Sequence, residues 1–208
     1  MATTTSTANF GNLTSGNILL SNIVVTDTDV LNSSGSAIAD FITSAPFVVA
    51  DTDAAGLSGV NFTSFAAGVS GPNVSQTVVF TYSVSSTTAG QLINRYDSGV
   101  SVDAFNGLNP SVNNTFTAVE QIFDTAGHLL STQSWAFGQA APAPVTLAVA
   151  QSTINVRYTI TESINGSGTV GSPGVQPSEV DFSNLFMNFG AISQTQLCSI
   201  GDYVFLDV

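Results

Sequence analysis

Lysine is absent from this 208-residue chain, while arginine occurs twice and histidine and cysteine once each. Each shortage removes a class of function. With only Arg95 and Arg157 set against 14 carboxylates, and a net charge of −12, the chain has no cluster of cations to displace counterions from a phosphate backbone. No nucleic-acid partner is therefore expected, and docking on anionic lipid is disfavoured for the same reason. Cys198 has no second cysteine to pair with, so it reads as a small buried hydrophobe or as half of an intermolecular bridge. One histidine and one cysteine cannot build a zinc centre. The Gly-x-Ser-x-Gly elbow, the His-Glu-x-x-His helix, the phosphate-binding loop and the dinucleotide fingerprint are all missing. No apolar run reaches the roughly 18 residues of a spanning helix, so membrane insertion is not expected. Residues 1–10 lack a basic segment followed by an apolar one, so export would proceed without an N-terminal signal peptide.

What the chain has is apolar residues and neutral polar ones. Hydrophobic residues make up 43% and charged residues 8%, so a core can form and the surface must be wetted by something other than charge. Ser, Thr and Asn supply it, at roughly a third of the residues against much lower ordinary usage. The apolar residues alternate. Val78, Phe80, Tyr82 and Val84 share one face of residues 77–84, and Ile154, Val156, Tyr158 and Ile160 share one face of residues 154–160, opposite Asn155, Arg157 and Thr159. A period of two marks half-buried strands. Residues 115–123 and 129–137 flank Asp124-Thr-Ala-Gly-His128, a hairpin signal. Residues 180–189 read as a long strand rich in Phe. Only residues 36–42 suggest a helix, and a short one. The expected fold is all-β, an antiparallel β-sandwich of jelly-roll or Ig-like type with extended terminal segments. Residues 1–22 would be an arm leading into a first strand at 17–25, residues 23–198 the sandwich, and residues 199–208 a terminal strand.

Candidate sites are few. His128 has Asp124 four residues before it and Ser131 three after, but a turn does not hold a nucleophile, a base and an orienting acid in a cleft. Glu120, Asp124, Glu162 and Glu179 are the acids from which a carboxylate pair for glycoside hydrolysis would be drawn; as ordinary solvated acids they imply no enzyme. Val24-Val-Thr-Asp27-Thr-Asp29 recurs as Val48-Val-Ala-Asp51-Thr-Asp53. Alternation puts Asp27 with Asp29, and Asp51 with Asp53, on one face each, where Ca²⁺ or water would relieve their repulsion. Most aromatics belong to the core; Phe105 and Tyr96, among polar neighbours, are the two available for stacking on a sugar. Thr3-Thr4-Thr5 suggests ice binding but does not repeat along the chain. Asn-x-Ser/Thr sequons, among them those at Asn61, Asn73, Asn113 and Asn165, are what this composition produces by chance.

Ser199-Ile-Gly-Asp-Tyr-Val-Phe-Leu-Asp-Val208 resembles the opening strand of the B-like repeat of bacterial serine-aspartate-repeat surface proteins. That resemblance implies a multidomain surface or matrix protein, with Asp207 matching the start of a calcium ligand set whose other members are absent from this sequence. Tyr203, Val204, Phe205 and Leu206 form a strand apolar on both faces, suited to joining an open sheet edge of this or a neighbouring subunit. The expectation is thus an extracellular, non-enzymatic structural protein of a surface layer, filament or matrix, acting as a homo-oligomer or polymer. A carbohydrate-binding adhesin and a glycoside hydrolase are the alternatives, and an outer decoration protein of a viral capsid a further one.

Overall fold

The computed structural model describes residues 2–31, 36–39, 47–52, 56–63, 67–71, 73–106, 112–139, 142–166 and 179–193. They form two antiparallel sheets packed face to face, as the alternation predicts. The first sheet has six strands in the order β1 (Ala2–Ser15), β2 (Ile18–Leu31), β7 (Val74–Ser86), β12 (Thr153–Gly166), β9 (Val112–Phe123) and β10 (Leu129–Ala136). The second runs β11 (Val145–Gln151), β8 (Gln91–Asn106), β13 (Glu179–Ser193), β5 (Ser58–Thr63) and β4 (Phe47–Thr52). In it, β6 (Ala67–Ser70) pairs with β13 beyond the end of β5, and β3 (Ser36–Ala39) pairs with β6.

The inner faces are set by the period of two. Along β12, Ile154, Val156, Tyr158, Ile160, Glu162 and Ile164 are buried, and along β7 Val74, Gln76, Val78, Phe80, Tyr82 and Val84. Opposite them lie Phe62, Phe182, Leu185, Met187 and Phe189 from the second sheet. Phe62 meets Phe80 edge-on with ring centroids 5.6 Å apart, and Phe80 meets Tyr158 at 6.3 Å. Edge-on aromatic contacts add to burial because the positive rim of one ring faces the negative face of the next.

Three segments differ from expectation. Residues 36–39, read as the start of a helix, are a strand: Ser36 and Ala37 align with Ser70 and Val69. Pairing to β6 overrides a weak local preference that no 3.6-residue period supported. Residues 2–15, read as an arm, are the outer strand of a hairpin with β2, closed by the left-handed Gly16 (φ 55°) and Asn17. Tyr96, proposed for an aromatic shelf, is fully buried. Residues 199–208, with Tyr203, Val204, Phe205 and Leu206, lie outside the described residues, as do Cys198 and Asp53; the side chain of Phe105 is not described either.

Gly59 on β5 lies against β13 so closely that an added Cβ would collide with the Met187 carbonyl oxygen and the Asn188 side chain. Backbone cannot yield as a flexible side chain can, so Gly59→Ala is expected to cost about 2–3 kcal/mol, read as a lowered urea midpoint with unchanged slope. An unaltered midpoint would mean that β5 and β13 are not held this tightly.

Candidate functional site

Asp27 and Asp29 lie far from Asp51. Asp27 and Asp29 sit inside β2, pointing into the sandwich at 1% and 5% exposure, not at a solvated strand end. Gln76 of β7 donates to Asp27 Oδ2 at 3.1 Å. In register, Asp29 faces Gln76, and Gln76 faces Glu162 of β12, itself fully buried. Asp51 closes the other end. Its carboxylate accepts a 2.8 Å bond from Asn188 Nδ2, and its carbonyl a 2.9 Å bond from Ser15 Oγ. Ser6 is the partner of Asp27, so from there to Ser15 the two sites are separated by roughly 25–30 Å at the usual rise per residue. Among the described residues no three carboxylate, imidazole or thiolate side chains converge as a metal cage.

At the β9–β10 turn, His128 Nδ1 and Asp124 Oδ2 are 2.8 Å apart. Asp124 Oδ1 also accepts the N–H groups of Ala126 and His128. These bonds to His128 hold the Asp124 carboxyl below its ordinary range. Ser131 does not complete a relay, since its hydroxyl lies 2.8 Å from Tyr96 Oη. The pair therefore shapes the turn.

Glu120 on β9 is fully buried between the sheets, beside Tyr158 of β12 and Gln133 of β10 in register. Ser98 Oγ of the second sheet donates to its Oε2 at 2.6 Å. Burial pushes the Glu120 carboxyl up to about 8, the Ser98 bond opposing and the Asp97 charge adding to the rise. Burial first, and then Glu120, raise the Tyr82 and Tyr158 phenols well above their usual range. Glu162 lies four residues along β12 from Tyr158, the partner of Glu120, a Cα separation of roughly 14 Å. These two acids do not flank an open cleft.

A different place collects exposed chemistry. On the outer face of the first sheet, Arg157 stands between Thr81 and Gln121, and Asn155 between Ser83 and Phe123. Beside them β2 bulges between Ser21 and Val24, where Asn22 takes a left-handed conformation (φ 56°). Asn22, Thr81, Ser83, Phe123, Asn155 and Arg157 line an open depression of about 340 Å³. Arg157 was not a candidate in the sequence, although as one of two arginines in an acidic chain it carries a signal that could have found it; its companions come from four strands and leave no local motif.

The buried Glu120 couples stability to pH. Its folded-state value of about 8 exceeds the reference of 4.5, so between these limits the folded state holds a proton that the unfolded chain has lost. Stability from this group is complete below pH 4.5, falls as pH rises and levels off above about 8. Glu120→Gln is expected to remove that slope and to gain about 2 kcal/mol at neutral pH. Urea unfolding of both proteins across this range is the check, and parallel pH profiles would refute a neutral buried Glu120.

No protein-family profile matches this sequence, and no curated protein matches it. Among solved structures, a DUF4465 family protein from Bacteroides caccae aligns over 76% of this chain and 98% of its own, at 9% identity and a TM-score of 0.25. At that score the likeness carries no argument, and the antiparallel sandwich stands on the strand pairing described above.

Proposed function

We propose that this chain is an extracellular structural module of a bacterial surface layer, filament or matrix, joined to its neighbours by strand addition. The observation that carries the reading is the edge strand β1. It is 14 residues long, has no charge and no proline, and pairs among the described residues only with β2. Its register shifts fall between Asn9 and Leu13, so residues 2–8 run straight against β2. Soluble proteins guard such edges with lysine, proline, bulges or a short length. This half of β1 has none of those guards, and the chain has no lysine to offer.

The apolar sequence of residues 203–206 is suited to be the complement. Donated from one subunit to the edge of the next, it makes a heterologous contact, and repetition of that contact gives an open filament. The −12 net charge keeps free subunits apart until salt screens it.

Ser6 aligns with Asp27 within the regularly paired residues 2–8 of β1, where a lysine guards an edge without removing a ladder bond. The double variant Thr4→Lys, Ser6→Lys is expected to stay as dispersed subunits where the parent forms filaments, with the critical concentration raised at least about tenfold. Sedimentation and electron microscopy read the outcome. Filaments formed equally well by the variant would remove β1 from the assembly, and equal assembly without residues 199–208 would remove the donor strand.

A further inference from the structure

Arg157 is out of keeping with its surroundings. In a chain with seven carboxylates for each arginine (14 against 2), a guanidinium would be expected to sit against an acid. Arg157 is exposed, and no carboxylate lies within ion-pairing distance of it among the described residues. Asp124, whose carbonyl oxygen bonds the neighbouring Asn155, has its carboxylate turned onto His128 and the N–H groups of its own turn.

Three further features meet at the same place. Asn22 holds a left-handed conformation that costs energy for any residue with a Cβ. That conformation is pinned by Asn12, whose Oδ1 accepts the Asn22 N–H at 3.0 Å, and it coincides with the bulge that opens β2 away from β7. Bulges recur where a strand must re-aim a side chain. Asn155 is oriented before any ligand arrives: its Oδ1 accepts Ser83 Oγ at 2.7 Å and its Nδ2 reaches the Asp124 carbonyl at 3.4 Å. An amide nitrogen carries two hydrogens, so one donor is left over. Phe123, directly opposite Asn155 in the ladder, is only partly buried and lines the same hollow.

We infer that this depression, formed by Asn22, Thr81, Ser83, Phe123, Asn155 and Arg157, binds a carboxylated sugar residue of an acidic polysaccharide. The guanidinium offers a planar fork that matches a carboxylate with two parallel hydrogen bonds. The amides and hydroxyls suit the ring hydroxyls, and the Phe123 ring offers an apolar surface to the C–H face of the sugar. The hollow is shallow and open, which suits one residue of a running chain. The sheet face around it carries no carboxylate among the described residues: its rows read Thr5, Thr28, Thr77, Thr161, Thr117 and Thr7, Thr26, Val79, Thr159, Val119. A polyanion can therefore lie across this face clear of the described carboxylates, with Asp124 beside the hollow turned onto His128. The site draws on β1 only through Asn12, outside residues 2–8, and stands whether or not subunits join along that stretch.

Calorimetric titration of the full chain with alginate oligosaccharide tests the inference, with neutral dextran oligosaccharide and dextran sulfate as comparisons. The expected result is saturable binding of the alginate fragment and none of neutral dextran. Affinity should fall at least about tenfold in Arg157→Ala, and clearly in Arg157→Lys, which keeps the charge and loses the fork. Because Arg157 is exposed, both variants should keep the parent melting temperature, so loss of binding reads the site and not the fold. Absence of alginate binding, equal binding of neutral dextran, binding of the sulfate ester alone, or unchanged affinity in Arg157→Ala would each overturn it.

Discussion

Everything in this molecule follows from the pleat. A strand that hides every second side chain gives its sheet one face that only another sheet can cover, and β12 shows how strictly this holds. Six alternate residues from Ile154 to Ile164 are buried, while the backbone is paired on one side to β7 and on the other to β9. The core is the sum of such faces. Burial of large apolar side chains drives the sandwich together, and the ladders satisfy the peptide groups that burial would otherwise leave without partners.

The same rule explains the least comfortable residues. Glu120 shares parity with Ala118 and Ile122, Glu162 with Ile160 and Ile164, and Asp27 with Ile23 across the bulge and with Val25. Each acid occupies a position where the pleat points inward. A buried carboxyl in a chain without lysine has two ways to avoid standing as a bare charge: it keeps its proton, or it takes hydrogen bonds from neutral donors. Glu120 does both, with Ser98 as its donor, and Asp27 accepts from Gln76.

Much of the fold was legible because β7, β9, β10 and β12 carry clean alternation and one clear turn, at Asp124-Thr-Ala-Gly-His128. The alternation of β7 and β12 also gave the inward face. β1 was not legible as a strand because its side chains are small, neutral and mostly exposed; an edge strand of Thr, Ser and Asn has no apolar face to announce it. Tyr96 was misplaced because Arg95 and Asp97 made its neighbourhood look like a loop, although parity with Ser98 and Ile93 across a register shift puts it inside. The inward acids are legible from parity as well: alternation puts Asp27 and Asp29 on one face, and that face is the one Val25 shares, as Glu162 shares the face of Ile160. Surface sites are the hardest case. Asn22, Phe123, Asn155 and Arg157 become neighbours only through strand order, and strand order is a property of pairing that no window along the chain contains.

The placement of the two arginines has a consequence for durability. Arg95 is in β8, bonded to β13 on one side and to β11 on the other, and Arg157 is in β12 between β7 and β9. With no lysine in the chain, these are the only peptide bonds a trypsin-like protease could cut. Each would have to be pulled out of a ladder as an extended segment before it could enter a protease cleft. A module built this way is shielded from an abundant class of extracellular digestive enzymes for as long as its central strands stay paired.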